Sequence, residues 1–336
     1  MLRYLQWPFL TAIVCFALAA WWGGATPAGA WPAVLIAVEL SVLEVSLSFD
    51  NAVINAKVLG TMSPKWRRLF LTVGIVIAVF GVRLLCPLVI VALATHTSML
   101  SVASLALHQP AIYSQILTTH YPVIAGFGGM FLCMVFFDFM CQTNRTVFWL
   151  PMIERGFARL GVASAASTLL SLICLLILHS YLPLPLKTMV LQAGVVGIGA
   201  YLLVASINAF LPASDAMAAD RRQPVGLGAF IYLEVLDASF SLDGTIGAFA
   251  MTRDVVIILL GLTVGAMCVR SLTLYLVDRR TLANFRFLEH GAHYAIGLLA
   301  VFMLVGIVHP VPELLTGCSG AALIAASVWS SRRERV

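Results

Sequence analysis

Charge is scarce in this 336-residue chain. Lys, Arg, Asp and Glu together make up 10% of it, against 61% hydrophobic residues, where a soluble domain carries roughly 25% charged residues. That ratio excludes a soluble fold, because so much apolar surface would have nowhere to hide from water. The short alternating segments of a membrane β-barrel are absent. So are the His-Glu motifs of zinc enzymes and any Gly-rich loop that would cradle a nucleotide. No Cys-x-x-Cys pair occurs. The seven cysteines (Cys15, Cys86, Cys133, Cys141, Cys174, Cys268 and Cys318) are odd in number and lie in or beside apolar stretches. A disulfide framework and a thiolate metal site are therefore excluded, and the cysteines read as small packing residues. The net charge of +5 implies no nucleic-acid partner, since the basic residues flank apolar runs.

Those runs are what the sequence has in abundance. A span of about 20 apolar residues crosses a bilayer as a helix, so the expected class is all-α, a polytopic transmembrane helical bundle. Reading runs between charge and Pro/Gly punctuation gives about ten helices: 7–25, 32–57, 67–94, 121–141, 160–181, 188–211, 225–250, 254–277, 291–309 and 314–330. With the N-terminus in the cytoplasm, 16 of the 20 basic residues fall on inside segments. These are Arg3, Lys57, Lys65, Arg67, Arg68, Arg145, Arg155, Arg159, Arg221, Arg222, Arg279, Arg280, Arg286, Arg332, Arg333 and Arg335. Only Lys187 and Arg253 fall outside, while Arg83 and Arg270 sit within spans. By the positive-inside rule both termini are cytoplasmic and the number of spans is even. Arg3, the run Trp7–Trp22 and Ala28-Gly29-Ala30 imitate a cleavable signal, but the orientation closes with the first helix retained. The expected organisation is an N-terminal helix (1–30), a first half (31–211) and a second half (212–336). The outside loop 95–120 carries His96, His108 and His120, too widely spaced to read as more than loop histidines.

Two motifs repeat. Glu44-Val-Ser-Leu-Ser-Phe-Asp50-Asn51 lies in the second span and Asp237-Ala-Ser-Phe-Ser-Leu-Asp243-Gly244 in the seventh. Glu44 aligns with Asp237, Ser46 with Ser239, Ser48 with Ser241, and Asp50 with Asp243. Each motif is followed by a span carrying Gly-x8-Arg, Gly74 to Arg83 and Gly261 to Arg270. The second span runs inward and the seventh outward, so the repeat has inverted topology, a recurrent plan of secondary transporters with the site near the midplane. An intramembrane charge costs several kcal/mol or more. Glu44, Asp50, Asp138, Glu234, Asp237 and Asp243 fall within spans, with Glu39 nearer an edge, and only Arg83 and Arg270 oppose them. Protons or a bound cation must supply the balance. Serine hydroxyls among carboxylates make an all-oxygen donor set, suited to hard divalent ions rather than zinc or copper. On a regular helix Glu44, Ser48, Asn51 and Asn55 share a face, and an unwound turn near Ser48–Asn51 and Ser241–Gly244 would converge the acids. Arg83 and Arg270 read as counter-ions that stand in for cargo, or as partners of backbone carbonyls. Asp138 reads as an exit-path acid or an interfacial one. The pair His290 and His293, at i and i+3, reads as cytoplasmic and interfacial, or as a metal or proton carrier.

At these motifs the chain resembles the TerC-like integral membrane proteins of the LysE transporter superfamily, and within them a longer bacterial branch. The carrying residues are Glu44 to Val53, Leu233 to Gly244, and Phe287-Leu-Glu289-His-Gly-Ala-His293-Tyr-Ala-Ile-Gly, and the likeness extends over about residues 31–310. The resemblance implies export of a divalent metal cation, with Mn²⁺ as transported substrate, across a bacterial inner membrane. By motif position it implies Glu44, Asp50, Asn51, Asp237, Ser241 and Asp243 as the metal site. Ser46, Ser48, Ser239, Glu234, Arg83, Arg270, Asp138 and His293 are the supporting residues. Departures are Gly244, where many relatives have Ser, and a less acidic segment after Asp138. Proton antiport would couple the export. The alternatives are a Ca²⁺ or other divalent channel or transporter, or a protein that supplies metal to secreted enzymes. An enzyme is not expected, because neither motif carries the Gly-x-Gly-Asp pattern of intramembrane proteases. The partners expected are the metal ion and the lipid bilayer, with no nucleotide; a homo-oligomer is left open.

Overall fold

Inside a hydrocarbon layer each backbone N–H and C=O must find its partner within the segment, which leaves helices as the economical choice. A computed structural model describes residues 2–26, 29–163, 165–210, 226–278 and 285–334, and among these it is helical throughout with no strand. The elements are α1 (Leu2–Gly24), α2 (Ala30–Leu47), α3 (Phe49–Thr61), α4 (residues 64–95), α5 (Met99–His108), α6 (Pro110–Thr119) and α7 (Tyr121–Met140). They continue with α8 (Pro151–Leu160), α9 (Ala166–Tyr181), α10 (Leu184–Phe210), α11 (Leu227–Met251), α12 (Val255–Asp278), α13 (Leu288–Gly306) and α14 (Glu313–Arg333). Arg221, Arg222, Arg279, Arg280, Arg335 and Ala28 lie outside the described residues, as do the expected boundary at 211/212 and the side chains of Arg3 and Asp243.

Among the described residues seven stretches are long and apolar enough to cross a membrane: Gln6–Gly24, Ala30–Leu47, Pro64–Leu93, Tyr121–Met140, Leu184–Ser206, Val255–Asp278 and Leu288–Gly306. The molecule is an all-helical integral membrane protein. The other three expected spans fall short for separate reasons. Helix α9 has 16 residues, about 24 Å at 1.5 Å per residue. Helix α11 has 25 residues but carries Glu234, Asp237 and Asp243. Helix α14 is built largely of Ser, Gly and Ala. The loop expected at 95–120 is instead the pair α5 and α6. There His108 and His120 turn Nδ1 onto backbone oxygens of their own helices, at 2.9 and 2.8 Å.

Helix α7 is the buried axis, packed by α9, α10, α11 and α13. Phe131, Leu132 and Met134 on α7 meet Ile54 of α3, Leu236 of α11 and Ile296 of α13 in one core. A second core joins Ala37 and Leu40 of α2, Val82 of α4, Tyr113 of α6 and Leu262 of α12. Large apolar side chains such as Trp7, Trp21, Leu176, Val196 and Leu203 point outward, as a lipid-facing surface requires. A three-residue turn joins α11 to α12. In it Asp254 Oδ1 accepts the N–H groups of Val256 and Ile257 at 2.9 and 3.2 Å, capping α12, and Oδ2 accepts Trp22 Nε1–H at 2.8 Å. That contact ties α1 to the bundle.

Candidate functional site

The first motif sits where a helix breaks. Helix α2 ends at Leu47, α3 begins at Phe49, and Ser48 between them has φ −102° and ψ 13°. Its N–H still reaches Glu44 O at 2.9 Å and its C=O accepts Ala52 N–H at 3.1 Å, so the break is a single residue. The Ser48 hydroxyl donates to Glu44 Oε1 at 3.0 Å. Asp50 and Asn51 occupy the first turn of α3, where the helix dipole favours an anion, and Asn51 N–H bonds Asp50 Oδ1 at 2.9 Å. The second motif differs: residues 237–244 lie inside the unbroken helix α11. The unwinding expected there is absent. Gly244 provides closeness instead, since a Cβ on it would stand 3.3 Å from Glu44 Oε2.

The motifs meet. Asn51 Nδ2 donates to Asp237 Oδ1 at 2.7 Å, and Gly244 lies against Glu44. As residue numbers rise along one segment they fall along the other, so the segments pass antiparallel. Arg83 forms an ion pair with Glu44, their side chains 3% and 1% exposed. It also donates to Ala78 O at 3.1 Å within a π-helical stretch of α4, Ile77–Leu85. Such stretches often occur at functional sites. Glu234, one turn before Asp237, lies over Gly74, where a Cβ would come within 2.5 Å of its Oε1.

These groups surround a cavity of ≈ 50 Å³ whose polar lining is Glu44, Ser48, Asn55, Arg83, Glu234, Asp237, Arg270 and Thr273. A water needs roughly 10–15 Å³ of such space, so the cavity has room for an ion or a few waters. Among the described residues several buried groups of this lining have no hydrogen-bond partner: both oxygens of Glu234, Oδ1 of Asn55 and Nε of Arg83. Buried polar groups are normally satisfied, and these orphans cluster on one space.

Not every expected residue arrives there. Asp50 is 4% exposed and buried at the start of α3 but does not line the cavity. Ser46 is exposed and bonds Val42 O at 2.8 Å. Ser239 bonds Val235 O at 2.9 Å, and the Ser241 hydroxyl is buried without a partner. Among the described residues no three of His, Cys, Asp and Glu stand close enough to hold a metal ion together. Asp138 and His293 belong to a second cavity of ≈ 90 Å³, lined also by Lys57, Tyr201 and Tyr232. Glu289 pairs with Lys57 at its edge. Beyond it lies a buried ionic knot that the sequence did not reveal. Glu154, fully buried, faces His290 Nε2 at 3.3 Å and Arg145 Nη1 at 3.7 Å, and accepts the N–H groups of Trp149 and Leu150. Burial works to raise the Glu154 carboxyl, but the hydrogen bond from His290 and the backbone N–H of Leu150 outweigh it and hold the group below its ordinary range. Burial lowers the Arg145 guanidinium. Of the cavity residues, Asn55 was placed on the motif face but not counted in the site, and Thr273 was missed. Asn55 shares the face of Glu44, and Thr273 follows Arg270 by three residues, so helical spacing was the available signal.

No curated protein and no solved structure matches the chain. The chain belongs to the family described as protein of unknown function (DUF475), whose model matches residues 49–335.

Proposed function

We propose that this protein is a secondary transporter that carries a divalent metal cation, Mn²⁺ foremost, out of a bacterial cell across the inner membrane. Its fold is ten spans arranged as an inverted repeat, with both termini in the cytoplasm, and it is related to the TerC-like proteins. The observation that carries the reading is the cavity in which Glu44, Asp237 and Glu234 converge, with neither Glu234 oxygen hydrogen-bonded among the described residues. A carboxylate in that position is expensive unless a cation or proton joins it. Glu44 has Arg83 and Asp237 has Asn51; Glu234 is the group left for cargo. Carboxylate, amide and hydroxyl oxygens around it suit Mn²⁺, Mg²⁺ or Ca²⁺. Exchange of the cation against protons on these acids supplies the coupling.

The inverted repeat has support from contacts that recur under the motif alignment. Asn51 touches Asp237, and its aligned partner Gly244 touches Glu44, which aligns with Asp237. Ser41, aligned with Glu234, donates to Gly261 O at 2.9 Å, while Glu234 lies over Gly74, the glycine aligned with Gly261. Helix α2 packs on α12 as α11 packs on α4.

The test is metal flux in sealed vesicles holding the purified protein, with Mn²⁺, Mg²⁺, Ca²⁺, Co²⁺ and Zn²⁺ compared. Saturable Mn²⁺ flux is expected, and folded Glu234→Gln and Asp237→Asn proteins should lose it at least ten-fold. Wild-type flux in both variants would overturn the reading.

A further inference from the structure

Helix α8 lines neither cavity and takes no part in the acidic site. It has 10 residues, about 15 Å at 1.5 Å per residue, and is too short to cross a bilayer. It is held instead against the end of α7, a helix long and apolar enough to cross. Phe157 of α8 meets Phe137 of α7 with ring centroids 6.0 Å apart. Gly161, just past α8, lies so near the end of α7 that a Cβ on it would stand 1.7 Å from Cys141 O. At the start of α8, Glu154 accepts the N–H groups of Trp149 and Leu150. Both ends of α8 are thereby fixed at the level where α7 stops.

Helical spacing sorts the side chains of α8 into three strips. The inward strip holds Glu154, which is buried, and Phe157 and Ala158, which are half-buried. The outward strip is apolar: Met152 is 93% exposed, and Ile153 and Leu160 are exposed with it. It runs on through exposed Val162 into α9, whose Leu169, Ile173 and Leu176 also point outward. The third strip is basic. Arg155 and Arg159 stand one turn apart, both exposed, and neither joins an ion pair among the described residues. Glu154, the acid of this helix, turns inward to His290 and Arg145, so the face left outside carries positive charge alone. A short helix with an apolar strip beside arginines is suited to the plane of the membrane interface, its apolar side at the acyl boundary and its cations among headgroups. The surrounding end of the bundle is basic as well, because Phe287 N–H donates to Ser331 and so brings Arg332 and Arg333 of α14 to the start of α13.

We propose that α8 is an interfacial helix that seats an acidic phospholipid, its phosphate taken by Arg155 and Arg159 and its acyl chains lying along Met152, Ile153 and Leu160. The planar fork of a guanidinium matches phosphate geometry, and an arginine stem reaches from the apolar boundary to the headgroup level. A zwitterionic lipid offers the same acyl chains but brings its own cation to the arginines, so the seat discriminates by headgroup charge. This goes beyond the transport reading and does not depend on which ion is carried.

The experiment is native mass spectrometry of the full chain released from detergent, with phosphatidylglycerol and phosphatidylcholine of distinguishable mass offered at equal concentration. The wild type should retain phosphatidylglycerol over phosphatidylcholine by roughly ten-fold. Arg155→Gln/Arg159→Gln should lose most of that preference. Met152→Gln/Leu160→Gln keeps both arginines and should weaken retention of phosphatidylglycerol too. All four side chains are exposed, so both variants should melt close to wild type, which a thermal scan checks. Equal retention of the two lipids by the wild type overturns the inference, as does a preference unchanged in the arginine variant. A preference lost with the arginines but untouched by Met152→Gln/Leu160→Gln overturns the seating of the acyl chains on α8. No metal enters the measurement, so its failure leaves the transport reading standing, and absent vesicle flux leaves the lipid seat standing.

Discussion

Replacing Glu44 by Gln keeps the shape of the side chain and removes its charge. Gln retains an oxygen to accept the Ser48 hydroxyl, which is 3.0 Å from Glu44 Oε1, so that contact survives. What is lost is the counter-charge of Arg83, whose side chain is 3% exposed. Breaking a buried pair by neutralising one partner costs about 3–5 kcal/mol, because the other charge stays behind in a low-dielectric place. Neutralising both leaves no orphaned ion, so Glu44→Gln/Arg83→Gln should regain most of that loss. The assay is thermal unfolding of the detergent-solubilised protein. At about 2 °C per kcal/mol for a chain of this size, the single variant should melt roughly 6–10 °C below wild type. Arg83→Gln alone should fall by a similar amount and the double variant by much less. A Glu44→Gln protein that melts within about 1 °C of wild type would refute the reasoning. So would a double variant no more stable than the worse single one.

Other expectations test neighbouring links. Gly74→Ala puts a Cβ 2.5 Å from Glu234 Oε1 and should displace that carboxylate, lowering Mn²⁺ flux at least ten-fold; Gly81→Ala, whose nearest contact would be an ordinary 3.5 Å, should leave flux unchanged. Arg270 lines the acidic cavity without a described carboxylate in ion-pair range, so Arg270→Gln should change stability by less than about 1 kcal/mol, against the several expected for Arg83→Gln. Glu154 titrates below its ordinary 4.5 in the fold, so its stabilisation is complete above that value and is lost as pH falls beneath it. The melting temperature should therefore drop on acidification below about pH 4.5, and Glu154→Gln should flatten that part of the profile.

The sequence disclosed the class of the fold and the meeting of the motifs, because both rest on strong local signals. Apolar runs name helices, and charge inside them names the places that need explanation. It misjudged the acids. Asp50, aligned with Asp243, reads as a ligand, yet it spends an oxygen on the N–H of Asn51 in the first turn of α3, a role set by the helix break at Ser48. A one-residue break is invisible to periodicity, since Ser48 keeps both flanking helices hydrogen-bonded. Glu234 stood outside the motif and yet reaches the cavity, because α11 does not unwind and one helical turn brings it level with Asp237. The knot joins Glu154 to His290, 136 positions further along the chain, and to Arg145, and no local pattern forecasts such a contact.

The proposed repeat is most informative where its halves disagree. Arg83 and Arg270 are aligned, line one cavity and follow aligned glycines, yet among the described residues only Arg83 holds an acid. In the second half Asp237, the counterpart of Glu44, is held by Asn51. The first half can offer that amide because its motif ends in Asn; the second motif ends in Gly244 and returns only an open approach to Glu44. A further difference lies at aligned positions Ser41 and Glu234. The hydroxyl of Ser41 is spent on backbone oxygens of Ala37 and Gly261, while both oxygens of Glu234 go unclaimed. The contacts that hold the halves together are thus shared, and the charges within them are not. Among the described residues, pairing in one half and deficit in the other leave a cavity in which the unsatisfied acid, Glu234, and a guanidinium with no ion pair, Arg270, both belong to the second half. Under the proposed transport, a cation that joins Glu234 would displace none of the ion pairs among the described residues, and the Glu44–Arg83 pair would stay as a fixed support.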